Sequence, residues 1–246
     1  MGRLLDRLLP RYCFGCERLL VGEPAPIGLC AACFGRLRRS PQPACCGCGR
    51  GLERPPSLPD YRCGACRASP PAWDRLFTVW RYERPIDRVF QALKYRRLDY
   101  LGDALGRAAL PWLPVELELA DRIVPVPLAV SKRLRRGFNQ AELLARPIGR
   151  ALGVPTVRAL RRRAGATQSL LSRSDRMRNL EGAFRPGRPL ARGSTVLLVD
   201  DVITTGATLA AAACALEGAG AARVWALALA RTPRPTERVE DLHPAS

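Results

Sequence analysis

Val196-Leu-Leu-Val-Asp-Asp-Val-Ile-Thr-Thr-Gly-Ala-Thr208 constrains this chain more than any other stretch. Four consecutive apolar residues, Val196 to Val199, suit a strand buried on both faces of a parallel sheet. Two adjacent carboxylates, Asp200 and Asp201, end that run. A turn through Thr204, Thr205 and Gly206 leads into an alanine-rich run from Ala207 to Leu216, which reads as a helix. Ligands of open α/β sheets sit at the carboxyl ends of strands, where this loop falls. Backbone N–H groups left free at the helix start, with the hydroxyls of Thr204, Thr205 and Thr208 and the permissive Gly206, form a cradle for a phosphate monoester. The acids before it are placed for sugar hydroxyls, or for a magnesium ion through water. A plain helix start needs one capping side chain. Two acids and three threonines are more than a cap requires.

This run closely resembles the phosphoribosyl pyrophosphate (PRPP) signature of type I phosphoribosyltransferases. The resemblance implies an α/β fold, a type I phosphoribosyltransferase-like parallel sheet flanked by helices. It also implies that Thr204, Thr205, Gly206, Ala207 and Thr208 bind the 5-phosphate of PRPP. Asp200 and Asp201 would hold the ribose 2- and 3-hydroxyls and serve as the catalytic pair, with magnesium accompanying the PRPP.

The chain has 246 residues, enough for one α/β domain and a small appended module. Eight of its ten cysteines form four Cys-x-x-Cys pairs: Cys13 and Cys16, Cys30 and Cys33, Cys45 and Cys48, Cys63 and Cys66. That is metal spacing, since two thiolates of one turn can face a single tetrahedral ion. Four pairs make two structural zinc sites of four thiolates. Sequential pairing gives two consecutive ribbons, a cross-braced pairing of first with third and second with fourth is the alternative, and spacing is compatible with both. Cys46 lies between ligands as a spare, and Cys214 on the alanine-rich helix is expected as a small core residue. No apolar run reaches the ~20 residues a bilayer span needs, and the start lacks a signal-peptide pattern. The expected location is cytoplasmic.

The formal charge is +18. Between Ser131 and Arg192 sixteen Lys or Arg face three acids, Glu142, Asp175 and Glu181. A field of that sign favours polyanions, either nucleic acid or a substrate with several phosphates.

In chain order, Leu4 to Leu9 suggest a short helix, and Leu52 to Ala72 a proline-rich linker containing the last cysteine pair. The alternation of Leu76 to Tyr82 fits a strand. Pro85 opens a helix, and a second follows near Tyr100 to Leu110. Lys94-Tyr-Arg-Arg97 reads as a phosphate contact or, more simply, as a solvated helix end favoured by the dipole. Arg122 to Leu128 suggest a strand broken by prolines, and Gln140 to Leu152 a helix bent or interrupted at Pro147. Strands are expected near 156–160 and Val224 to Ala230, and a short helix near Asp175 to Leu180.

The cysteine head, the Val-Pro-Val-Pro strand, Arg136-Gly-Phe-Asn-Gln140, Thr167-Gln168, Arg176-x-x-Asn179 and the PRPP loop occur in the order found in ComF-type proteins. These are amidophosphoribosyltransferase-like proteins linked to uptake of transforming DNA. The resemblance runs from about Leu4 to Arg231. It implies a zinc-binding module over residues 1–70, a phosphoribosyltransferase-like domain over 71–231 and a flexible tail over 232–246. Pro125 and Val126 would belong to a pyrophosphate loop, with Lys132, Arg133 and Arg136 offering charge. The stretch from Arg163 to Arg176 resembles the loop that closes over PRPP, with Gln168 and Arg176 touching pyrophosphate or acceptor. Implied partners are PRPP, single-stranded DNA and other DNA-uptake proteins such as a helicase. The only histidine, His243, lies in the tail and is a poor base, and no glutamine-hydrolysing half is present. Two functions follow: a PRPP-binding protein of DNA uptake, or an active phosphoribosyltransferase of nucleotide metabolism or base salvage.

Overall fold

A computed structural model describes residues 11–20, 26–56, 60–163, 182–187 and 189–233. The expected helix at Leu4 to Leu9, the loop residues Gln168 and Arg176, the helix near Asp175 and the tail from 234 onward lie outside these residues.

Four parallel strands form the central sheet, in the order β3 (Arg75–Arg81), β8 (Ala221–Arg231), β7 (Ser194–Ile203), β4 (Arg122–Pro125). The apolar run of β7 splits by the two-residue period of a strand. Leu197 and Val199 enter one core, with Trp225, Leu227 and Leu229 of β8. Val196 and Leu198 enter the core on the opposite face, with Val224, Ala226 and Ala228. All four of the β7 residues are fully buried. Cutting Leu198 to Ala would cost about 2–5 kcal/mol.

Each face is covered by helices whose apolar stripe recurs at three and four residues. The first carries α3 (Ile86–Tyr95), α4 (Tyr100–Ala109) and α6 (Gln140–Leu152), which bury Phe90 and Leu93, Leu101 and Leu105, and Leu144 and Ile148. The second carries α7 (Ala207–Glu217), burying Leu209, Ala212, Ala213 and Leu216. Cys214 is exposed, not a core residue. It falls between the positions of that stripe.

Two further expectations are corrected, and one helix is new. Pro147 lies inside a continuous α6 and is buried, where a Cβ on Gly106 of α4 would meet its Cγ at 2.5 Å; the tight helix crossing accommodates the ring. The strand near 156–160 reduces to a bridge between Thr156 and Ile123; pairing resumes at β5 (Leu160–Arg162), which joins β6 (Phe184–Pro186) in an antiparallel ribbon. Val130–Arg136, between the proline loop and Asn139, forms a helix, α5. It buries none of its residues, so it leaves no apolar stripe to read.

The head contains a two-stranded ribbon, β1 (Arg11–Tyr12) with β2 (Leu19–Leu20), and two five-residue helices, α1 (Ala31–Gly35) and α2 (Gly64–Ala68). Among the described residues no helix is long and apolar enough to cross a membrane.

Candidate functional site

The thiols gather into two groups, Cys13, Cys16, Cys30, Cys33 and Cys45, Cys48, Cys63, Cys66, the sulfurs of each within 4.8 Å of one another. The pairing is sequential, which settles the alternative left by spacing. Cys16 and Cys30 stand 3.8 Å apart, as do Cys48 and Cys63. A tetrahedron with metal–sulfur bonds of about 2.3 Å has edges of about 3.8 Å. Backbone amides of Cys30 and Cys63 point at the sulfurs of Cys13 and Cys45, at 3.3 and 3.2 Å. Burial alone would raise the Cys13 thiol, yet the amides of Cys30, Cys16 and Gly15 bring it down to about 6. Cys33 is pushed up to about 12 by burial and by its neighbouring sulfurs. Four thiolates so close cannot all ionise without a cation among them, so each cluster fits a metal ion. The knuckles are closed tightly: a Cβ on Gly15 would meet Cys33 Sγ at 2.9 Å, and one on Gly47 would meet Cys66 Sγ at 3.0 Å.

At the carboxyl end of β7 each acid is pinned to its own strand. The Asp201 amide donates to Asp200 Oδ1 at 2.8 Å, and the Val202 amide to Asp201 Oδ1 at 2.7 Å. Asp201 Oδ2 pairs with Lys94 Nζ at 2.9 Å, both side chains largely enclosed. Asp200 is raised from 3.8 to about 7, first by burial and then by the Asp201 charge, with Lys94 and Arg162 pulling the other way. Burial lowers Arg162, and Asp200 partly restores it. Burial also lowers Lys132, helped by the charges of Arg162, Arg136, Arg135 and Lys94. The two carboxylates therefore have Lys94 and Arg162 beside them, and Lys132 stands near those two cations together with Arg135 and Arg136. Among the described residues Arg136 Nε, Arg162 Nε and Gln140 Nε2 are buried without a hydrogen-bond partner, which leaves donors for a polyanionic ligand.

The loop from Thr204 to Thr208 follows. Thr204 and Thr205 are exposed, and Gly206, Ala207 and Thr208 are half-buried. Gly206 caps α7 with φ +81, and any Cβ there would meet Trp73 Cη2 at 2.8 Å. Only glycine suits both the left-handed backbone and that contact. The Ala207 amide reaches Thr205 Oγ1 at 3.4 Å and the Ala210 amide takes Gly206 O. The amides of Thr208 and Leu209 between them have no acceptor among the described residues. They are the helix-start donors a phosphate takes. The indole of Trp73 donates to Gly47 O at 2.8 Å, tying this loop to the second cysteine cluster.

Pro125 and Val126 are both buried. Val126 donates its amide to Val199 O and accepts from Asn139 Nδ2, each at 2.9 Å. It shapes the loop and has no backbone donor left to offer. Arg136 stands in the last turn of α5, its guanidinium 5.6 Å from the Tyr95 ring centre. Trp73 escapes the sequence reading, and Lys94, read there as a phosphate contact or a solvated helix end, is instead the partner of Asp201. Lys94 follows Phe90 by four residues, on the buried stripe of α3, and that spacing was the available signal.

A second charged region flanks the edge strand β4, a groove of about 740 Å³ lined by Arg133, Arg146, Arg158, Arg161, Arg162 and Arg185, with Glu142 the single acid. Glu142 is taken up by Arg146 at 3.0 Å and by Arg158. Arg133, Arg161 and Arg185 are exposed and have no carboxylate partner among the described residues. Arg162 belongs to both regions.

A family model described as phosphoribosyl transferase domain matches residues 134–243. A protein of Escherichia coli named DNA utilization protein YhgH is 39% identical over 229 residues, 89% of this chain and 97% of the relative. Competence protein F of Haemophilus influenzae is 34% identical, covering 82% of this chain and 91% of its own. Competence protein ComFC of Bacillus subtilis is 38% identical over 45% of this chain and 44% of its own. Among solved structures, an adenine phosphoribosyltransferase overlaps 64% of this chain and 82% of its own at 17% identity, with a TM-score of 0.34. With two cysteine clusters ahead of a phosphoribosyltransferase-like sheet, and relatives matched over nearly their whole length, this chain belongs to the family of competence protein F and DNA utilization protein YhgH, the ComF family.

Proposed function

We propose that this protein binds PRPP with magnesium at the carboxyl end of β7 and acts on single-stranded DNA during DNA uptake in the cytoplasm, beside other uptake proteins such as a helicase. The observation that carries the first half is the acid pair held by Lys94 and Arg162, directly before a helix start with two open amides. Asp200 and Asp201 would accept from the ribose hydroxyls. The loop 204–208 would hold the 5-phosphate, and Arg136, Arg162 and Lys132 would face the pyrophosphate. Magnesium, bound with PRPP, would add charge stabilisation to the leaving pyrophosphate. The two cysteine clusters would each hold a structural zinc ion. The division into a head over 1–70, a domain over 71–231 and a tail over 232–246 is part of this reading. Gln168 and Arg176 remain candidates for closing the site.

The DNA half rests on the names of the relatives and on the arginine groove. Each phosphate neutralised on a single strand contributes about −0.7 to the slope of log affinity against log salt. Five or six contacts give a slope near −4. Changing Arg133, Arg161 and Arg185 to Ala should flatten it by about 2 and leave PRPP binding intact. Arg162 is left alone because it faces Asp200. The deciding experiment is calorimetric titration with PRPP and magnesium, with and without single-stranded DNA. Absence of PRPP binding overturns the first half. Absence of DNA binding at about 0.15 M salt favours the second reading, an active phosphoribosyltransferase of nucleotide metabolism or salvage, which the undamaged acid pair supports.

A further inference from the structure

Nucleic-acid binding by charge alone leaves the bases unheld, and the basic segment provides no surface for them. Phe184 is 5% exposed and Phe138 packs against the core. Exposed rings stand elsewhere, in a groove of about 480 Å³ between the first cysteine module and α3. Tyr12 of β1 and Tyr95 at the end of α3 both line it, 55% and 69% exposed. Arg88 and Arg96 line it as well, and Glu17 is its one carboxylate among the described residues. The Arg96 guanidinium stands 5.8 Å from the ring centre of Phe14, so a cation already lies beside an aromatic wall. Tyr95 follows Lys94, which pairs with Asp201, and the Arg136 guanidinium approaches its ring. One end of the groove therefore lies at the end of the helix that carries Lys94.

Resting on the nucleic-acid reading above, we infer that this groove stacks bases of single-stranded DNA on Tyr12 and Tyr95 while Arg88 and Arg96 meet the phosphates. Every base has a π face, so stacking on tyrosine holds a strand without reading its sequence. Flanking guanidiniums supply the backbone contacts that such grooves combine with stacking. A protein partner would use the same rings, but the excess of cations over the lone Glu17 favours a polyanion. The groove thus holds bases and the edge groove holds phosphates.

The test compares a labelled short oligo(dT) with an abasic strand of equal length, on the full-length metal-loaded protein. Tyr12→Ala and Tyr95→Ala should each weaken oligo(dT) binding about tenfold, with Tyr→Phe restoring it. Neither should change the salt slope, and Tyr12→Ala should leave PRPP binding unchanged. The parent should hold the abasic strand no better than the alanine variants do. Equal affinity of parent and alanine variants for oligo(dT) overturns this inference, while a slope still set by Arg133, Arg161 and Arg185 keeps the broader reading alive. Alanine variants that retain oligo(dT) yet fail in DNA uptake would mark the groove as a protein contact instead. If the parent binds no oligo(dT), both readings fall.

Discussion

The two cysteine clusters have the same ligands at the same spacing, yet different forces join them to the rest of the chain. Cys13, Cys30 and Cys33 of the first belong to one continuous apolar cluster with Val89, Phe90 and Leu93 of α3. The second is attached by directed hydrogen bonds: Trp73 Nε1 to Gly47 O at 2.8 Å, Arg231 Nε to Cys48 O at 3.0 Å and the Leu76 amide to Cys46 O at 2.7 Å. Apolar packing has no direction and spreads a disturbance through every neighbour. A hydrogen bond transmits to one partner. The first cluster therefore supports the helix that carries Lys94, and the second supports the phosphate loop through Trp73. The candidate site stands between two walls, each backed by a cysteine cluster that fits a metal ion.

The largest test of that contrast removes one metal at a time. A structural zinc site contributes folding energy on the order of 10 kcal/mol in small domains. Cys13→Ser and Cys45→Ser should each halve the metal content. Cys13→Ser should lower the melting temperature more, because α3 loses its packing as well as its ion. Metal analysis and thermal melts decide it, and equal or reversed losses would break the comparison.

Between the walls, changing Asp200 and Asp201 together to Asn should weaken PRPP binding at least about a hundredfold, at roughly 1.5–3 kcal/mol for each charged hydrogen bond lost. Metal content should not move. Calorimetry giving equal affinities would show that the acids do not touch the ligand.

A smaller effect tests the second wall alone. Trp73→Phe keeps a ring beside Gly206 but removes the donor to Gly47 O, a loss of about 1 kcal/mol. PRPP and ribose 5-phosphate should weaken alike, by about fivefold, since both carry the 5-phosphate. A loss confined to PRPP would mean that Trp73 acts on the pyrophosphate side.

The central strand and its loop were legible in sequence because the pattern there is local: four apolar residues, two acids and a hydroxyl-rich turn occupy thirteen consecutive positions. The metal ligands were legible for the same reason. What joins them was not. Trp73 meets Gly47 and Gly206, far apart in the chain, and Lys94 meets Asp201 across more than a hundred residues. Long-range pairs leave no periodic trace. Helix α5 was missed because it buries nothing, and Cys214 was misplaced because an alanine-rich helix gives little contrast between its faces.

The last prediction concerns pH and the first wall. Burial and the Asp201 charge raise Asp200 from 3.8 to about 7, against the pull of Lys94. Between those values the folded chain holds a proton that the unfolded chain has released. Stability from neutral Asp200 is complete below about pH 4 and is lost as pH rises through about 7. Asp200→Asn cannot ionise and removes this slope. Between pH 5 and pH 8 the parent's melting temperature should therefore fall relative to that variant, by about 2–4 °C for each kcal/mol involved. Lys94→Met should steepen the parent's fall, because the cation that favours ionised Asp200 is gone and Asp201 loses its 2.9 Å partner. Cys13→Ser should act in the same direction if the first cluster sets the position of α3, and Cys45→Ser should leave the pH slope alone. Parallel melting curves for Asp200→Asn and parent would show that Asp200 titrates in its ordinary range. A slope altered equally by both cysteine changes would show that Lys94 does not depend on the first cluster in particular.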